Sequence, residues 1–92
     1  MEVRWSPKAA DDLERIVRYI QQQDSPEAAR RVAQAIYARA NGLQTFPNRG
    51  RPGRMEATRE LALPPLPFII VYRVLPEAVE IVRIIHAAQR WP

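Results

Sequence analysis

Phe46-Pro47-Asn48-Arg49-Gly50-Arg51-Pro52-Gly53-Arg54 is where the chain changes character: a helical period ends before it and a strand period begins after it. On its N-terminal side, Ala10, Leu13, Ile16, Val17 and Ile20 recur at spacings of three and four. They make one apolar face of a helix from about Pro7 to Gln23, with Ser6 as N-cap and Pro7 at the first helical position. Asp11, Asp12 and Glu14 lie near its positive end, where they favour the macrodipole. Asp24-Ser25-Pro26 stops this helix and starts another. The second runs through Ala29, Val32, Ala33, Ile36, Ala40 and Leu43 and is expected to end near Phe46-Pro47. Two amphipathic helices joined by a tight turn read as a helical hairpin.

On the C-terminal side the period drops to two. Arg59, Leu61 and Leu63 oppose Glu60 and Ala62; Phe68, Ile70, Tyr72 and Val74 oppose Ile69, Val71 and Arg73; Val79, Ile81, Arg83 and Ile85 oppose Glu80, Val82, Ile84 and His86. Pro64-Pro65 and Pro76-Glu77 supply the turns, and Val3 and Trp5 around Arg4 add a short strand at the start. The middle run is apolar on both faces until Arg73, which suits a central strand covered by helices on one side. The order is β-α-α-β-β-β. Residues 1–92 therefore read as one α+β domain, with the helical hairpin packed on one face of a small, mainly antiparallel sheet.

Ninety-two residues support a single modest core, so function is expected on a surface rather than in a deep cavity. The absence of cysteine excludes disulfides and thiolate zinc sites. The one histidine, His86, cannot build a histidine-based metal site without several carboxylates, so neither a metal nor a cofactor is expected. Charged residues from Glu2 to Asp12 break up any secretory run, and the longest apolar stretch, Leu61 to Tyr72, is too short for a bilayer and holds three prolines. The expectation is a soluble cytoplasmic protein with no membrane partner. Charge is uneven. From Arg30 to Arg59, seven arginines (30, 31, 39, 49, 51, 54 and 59) meet one carboxylate, Glu56, a formal +6 in a chain whose net charge is +4. Such a concentration steers anionic partners, nucleic acid or acidic protein, with a strength that salt screens.

The order of several short pieces carries a resemblance that covers essentially the whole chain. They are Trp5-Ser6-Pro7-Lys8-Ala9 with Asp12-Leu13, Tyr19-Ile20, Phe46-Pro47 with Gly50-Arg51, and Thr58-Arg59-Glu60-Leu61. After them come Pro67-Phe68-Ile69-Ile70-Val71-Tyr72-Arg73-Val74 and Ile84-Ile85-His86 through Gln89-Arg90-Trp91-Pro92. In these the chain resembles the ParE/RelE superfamily, the toxic halves of bacterial type II toxin–antitoxin modules, and is closer to ParE than to RelE. The resemblance implies a compact toxin neutralised by an acidic antitoxin, and leaves a homodimer and a hetero-oligomer with the antitoxin both open. It also implies one of two activities. RelE-type toxins cleave messenger RNA on the ribosome, whereas ParE-type toxins are associated with poisoning DNA gyrase. RNA cleavage needs proton-transferring groups and a cation beside the phosphate. Where RelE-type nucleases carry two lysines and an arginine, this chain places Glu60, Ala62 and Ile69. That departure favours a binding inhibitor over an enzyme.

Each candidate residue has two readings. The competing nuclease would draw on His86, Arg59, Arg73 and Arg83, with His86 as acid or base if an arginine lies beside it; otherwise its ring packs at the strand end. Arg49, Arg51, Arg54, His86, Arg90 and Trp91 form the target-binding set, with the loop arginines suited to phosphates or carboxylates. Trp91 either anchors an interface or folds back over Trp5 or the helices to seal the core. Arg30, Arg31, Arg39, Arg59 and Tyr72 form the antitoxin-binding set, although the first three also read as the wet face of the second helix. Tyr72 also reads as a core-edge tyrosine with its hydroxyl at the surface, and Arg59-Glu60 as a cross-strand charge pair.

Overall fold

Two serines start the helices as the sequence requires. In the computed structural model, which describes Met1–Pro92, Ser6 Oγ accepts the Ala9 N–H at 3.0 Å and opens helix α1 (Pro7–Gln23). Ser25 Oγ accepts the Ala28 N–H at 3.0 Å and opens α2 (Pro26–Gly42). A run of tight turns then carries the chain from Gly42 to Phe46, so α2 ends before Phe46-Pro47, earlier than its apolar period suggests.

Five strands form one sheet: β1 (Glu2–Trp5), β2 (Arg51–Pro52), β3 (Arg59–Ala62), β4 (Phe68–Val74) and β5 (Ala78–His86), in the order β1-β5-β4-β3-β2. Only the β1–β5 pair is parallel. The α+β class and the hairpin-on-sheet layering hold, and β4 takes the central place its two apolar faces call for. The addition is β2: Arg51 and Pro52 pair with Glu60 and Arg59, so the arginine stretch folds back as an edge strand.

The hairpin covers one sheet face. Ala9, Leu13, Ile36, Ala40 and Leu43 from the helices and their ends meet Leu61, Ile70, Tyr72, Val79, Ile81 and Ile84 from the sheet. The opposite, helix-free face carries a second, smaller apolar strip of Ile69, Val71 and Ile85. In β5 the strict alternation fails. Tyr72 pairs with Ile81 but Val71 pairs with Arg83, so Val82 is an extra residue, a β-bulge that moves Ile84 onto the helix side with Val79 and Ile81. The bulge has a local anchor, because Ser6 Oγ donates to the Val82 carbonyl at 3.0 Å while it caps α1.

Beyond Ile81, β1 no longer covers the outer edge of β5, and α1 supplies the missing partner. Asp12, only 3% exposed, accepts the Ile84 N–H at 3.0 Å through Oδ2. Its expected macrodipole role gives way to capping a strand edge.

Candidate functional site

Tyr72 is fully buried, not a core-edge tyrosine with a wet hydroxyl. That hydroxyl accepts the Gly50 N–H at 2.8 Å and donates to the Pro47 carbonyl at 2.7 Å, which ties the arginine loop to the central strand. Burial pushes the phenol's pKa up, while the Gly50 N–H and the charges of Arg59 and Arg49 pull the other way; the net shift is upward, so the donor proton is kept. Gly50 admits the contact because a Cβ there would lie 2.8 Å from Tyr72 Cε1 and from its hydroxyl oxygen.

Glu60, 2% exposed, is the second anchor. It accepts the Arg54 N–H at 3.0 Å, Arg54 Nη2 at 3.0 Å and Arg51 Nη2 at 3.1 Å. Burial alone would raise its pKa; the Arg54 backbone and the Arg54 and Arg51 guanidinium groups outweigh burial and hold the carboxyl below its ordinary range. Arg59 turns away from Glu60 and donates through Nη1 to the Gly50 carbonyl at 2.7 Å, so the expected cross-strand pair is absent. Arg49 stacks on Phe46 with Cζ 5.3 Å from the ring centre. Much of the arginine cluster is thus spent holding its own loop.

Trp91 folds back, but over neither Trp5 nor the helices. It packs on the helix-free strip of Ile69, Val71, Ile85 and Val82, under the Arg83 guanidinium, whose Cζ is 5.2 Å from the ring centre. Trp5 pairs instead with Tyr37 of α2, 5.1 Å between centroids.

Between α1, the start of α2 and the open end of β5 lies a groove of about 480 Å³. Ile16, Tyr19, Ile20, Val32, Phe68 and Ile84 give it an apolar floor and wall, and Tyr19 is 63% exposed. At one side Asp12 is shared by two arginines, Arg15 Nη2 at 2.7 Å and Arg83 Nε at 2.7 Å, so positive charge is in excess there. His86 lies at the other side, edge-on to Phe68 with centroids 5.8 Å apart. Its Nδ1 accepts the Ala88 N–H at 3.0 Å. The sequence reading placed Ile16, Ile20 and Val32 on the apolar helix faces but assigned none of the groove's apolar residues to a site. The available signal was the apolar face of α1, which is wider than the sheet beneath it covers.

Residues 3–91 match the model of a family described as the ParE toxin of the type II toxin–antitoxin system, parDE. The chain belongs to the ParE toxin family. A relative called putative toxin Y4kP, from Sinorhizobium fredii, is 43% identical over 90 residues, which is 98% of this chain and 92% of that one. Toxin RelE2 of Caulobacter vibrioides is 42% identical over 88 residues, covering 96% and 97%. A solved chain of the chromosomal ParDE system from P. aeruginosa superposes with a TM-score of 0.87 at 33% identity, covering 94% of this chain and 95% of that one. Two helices on a five-stranded mixed sheet are therefore the ParE fold, and membership of a type II module implies an antitoxin partner.

The fold of this ParE-family toxin sorts its candidate residues. The four-residue nuclease set does not converge. Arg59 and His86 sit on the helix side opposite Tyr72 and Phe68, four residues and about 13 Å apart along β4. Arg73 stays on the other face, paired with Glu80 at 2.8 Å, while Arg83 projects from that face but turns round the β5 edge to Asp12 at 2.7 Å, where it lines the groove together with His86. Of the target-binding set, Arg51 and Arg54 hold Glu60, Arg54 Nη1 reaches the Trp91 carbonyl at 3.5 Å, Trp91 packs on the helix-free face, and Arg90 is exposed in the tail. Arg49 sits with Phe46, and His86 opens on the groove. Of the antitoxin-binding set, Arg30 and Arg31 are exposed on α2, Arg39 is half-buried in its last turn, and Arg59 is engaged by the loop. Tyr72 leaves that set, since a fully buried side chain offers a partner no surface.

Proposed function

We propose that this ParE-family toxin inhibits growth in the cytoplasm as a binding inhibitor of a cellular target such as DNA gyrase, without RNA chemistry of its own. The observation that carries the reading is Glu60. At a position where the nuclease branch carries a basic residue, this chain has a carboxylate that is buried and already satisfied by Arg51 and Arg54. Its neighbours on the same sheet face, Ala62 and Ile69, are cross-strand partners and can neither move a proton nor hold a phosphate. A gyrase poison needs no such groups. It need only bind one intermediate of the cycle more tightly than the others and so raise its population.

Neutralisation belongs to the groove. An acidic antitoxin segment would be steered by the arginine-rich surface and would seat apolar anchors against Ile16, Tyr19, Ile20, Val32 and Phe68, with a carboxylate beside Arg15. Arg15 suits this role, being 65% exposed and sharing its one carboxylate with another arginine.

The test compares two readouts after induced expression: cleavage of translated messenger RNA and accumulation of gyrase–DNA cleavage complexes. The reading requires the second without the first. An RNA cut with no effect on gyrase would return the toxin to the RelE-type, ribosome-dependent endoribonucleases, the branch whose name one 42% identical relative bears.

A further inference from the structure

Arg83 faces both candidate surfaces. It projects from β5 on the helix-free side, opposite Val71, and stacks over Trp91 with Cζ 5.2 Å from the ring centre. The same guanidinium turns round the open edge of β5 and meets Asp12 in the groove, Nε to Oδ2 at 2.7 Å and Nη2 to Oδ1 at 3.1 Å. The pairing is two-pronged and largely buried, with the Arg83 side chain 18% and the Asp12 side chain 3% exposed; the Asp12 hydrogen bond also keeps the Arg83 pKa above the ordinary arginine value against the opposing effect of burial. The tail it covers is less well fixed. Trp91 Nε1 is buried without a hydrogen-bond partner, and the carbonyl contact from Arg54 is long at 3.5 Å. An unmet indole donor is a standing cost to the docked tail, so docking depends on the apolar strip and on the stacked guanidinium.

We propose that Asp12 is a positioning residue for Trp91, acting through Arg83, so that the state of the groove sets the seating of the C-terminal tail. A carboxylate entering the groove competes with Asp12 for Arg83 and draws the guanidinium off the indole, which loosens the strap. The link is reciprocal: a tail pulled away by another partner changes the affinity of the groove for an acidic ligand by the same factor. The Asp12–Arg83–Trp91 chain stands on the geometry alone; its meaning for antitoxin binding rests on the groove reading above.

The isolated protein tests this without any partner. Trp5→Phe leaves Trp91 as the only tryptophan, and quenching of its fluorescence by acrylamide reports how well it is seated. Arg83→Lys keeps the charge but loses the planar stack and the two-pronged pairing; it is expected to raise the quenching constant about twofold with unchanged far-ultraviolet circular dichroism. Asp12→Asn is expected to do the same. Ile16→Glu, which puts a carboxylate one helical turn from Asp12 on the groove wall, mimics an acidic occupant and is expected to loosen Trp91 as well. Arg73→Ala, on the same sheet face but paired with Glu80, should leave quenching at the parent value. Unchanged quenching in folded Arg83→Lys overturns the positioning role, and that variant decides it if Asp12→Asn fails to fold. Unchanged quenching in folded Ile16→Glu overturns the link to the groove. An antitoxin that binds elsewhere would refute the groove reading and leave these results intact.

Discussion

Tyr72 and Glu60 show how single residues turn a mobile-looking, glycine- and arginine-rich stretch into a fixed loop. Tyr72 satisfies one backbone donor and one backbone acceptor in the dry interior, and no neighbouring group can replace it at both. Tyr72→Phe should therefore leave the buried Gly50 N–H unpaired and lower stability by about 1–3 kcal/mol in urea titrations, with the same circular dichroism spectrum. Glu60 makes an acid-sensitive contribution. Its carboxyl is depressed in the fold and returns to about 4.5 on unfolding, so between those two values the unfolded chain binds more protons. The stabilisation is complete above about 4.5 and is lost as pH falls through the lower, folded value. Melting temperatures followed from neutral pH into this window should fall more steeply for the parent than for Glu60→Gln, which has no proton to gain.

At the scale of elements, the two helices start alike but are tied to the sheet differently. Ser25 caps α2 and is given no second bond, whereas Ser6 caps α1 and also donates to the Val82 carbonyl at the β5 bulge. Loss of a cap costs about 0.5–2 kcal/mol, so Ser25→Ala should fall in that range. Ser6→Ala should exceed it, because a strand carbonyl loses its partner too. Denaturant midpoints of the two variants check the order. The bulge matters beyond stability. It turns Ile84 to the groove side and leaves Arg83 projecting from the helix-free face, so one inserted residue sets which side chains each surface receives.

For the whole molecule, charge and shape divide the work. The arginine-rich third supplies a long-range field, while the groove supplies short-range apolar contact. Association with an acidic antitoxin should slow several-fold as ionic strength rises from low to physiological values, with dissociation much less affected. Stopped-flow binding at graded salt separates the two rates. A salt-independent association rate would remove steering from the account.

The sequence by itself determined the order of the two helices and four of the five strands, the helix starts, the central strand and the family likeness, because caps, periods of 3.6 and 2, and turn prolines are local signals; the edge strand β2 escaped it. It also placed Glu60, Ala62 and Ile69 where basic residues are missing. The tertiary structure alone decided what the arginines do. Glu60 is nine positions along the chain from Arg51, Asp12 lies on a different element from Arg83, and Trp91 is 37 positions from Arg54; no local pattern marks such pairs. Tyr72 reads as an amphipathic surface tyrosine until packing buries its hydroxyl among backbone groups from a distant loop. The β5 bulge is equally silent in sequence, because Val82 and Arg83 fit a regular strand and only registry against β4 reveals the extra residue. Local propensity fixes what each segment becomes, whereas the partner of a long polar side chain depends on which segments the core brings side by side.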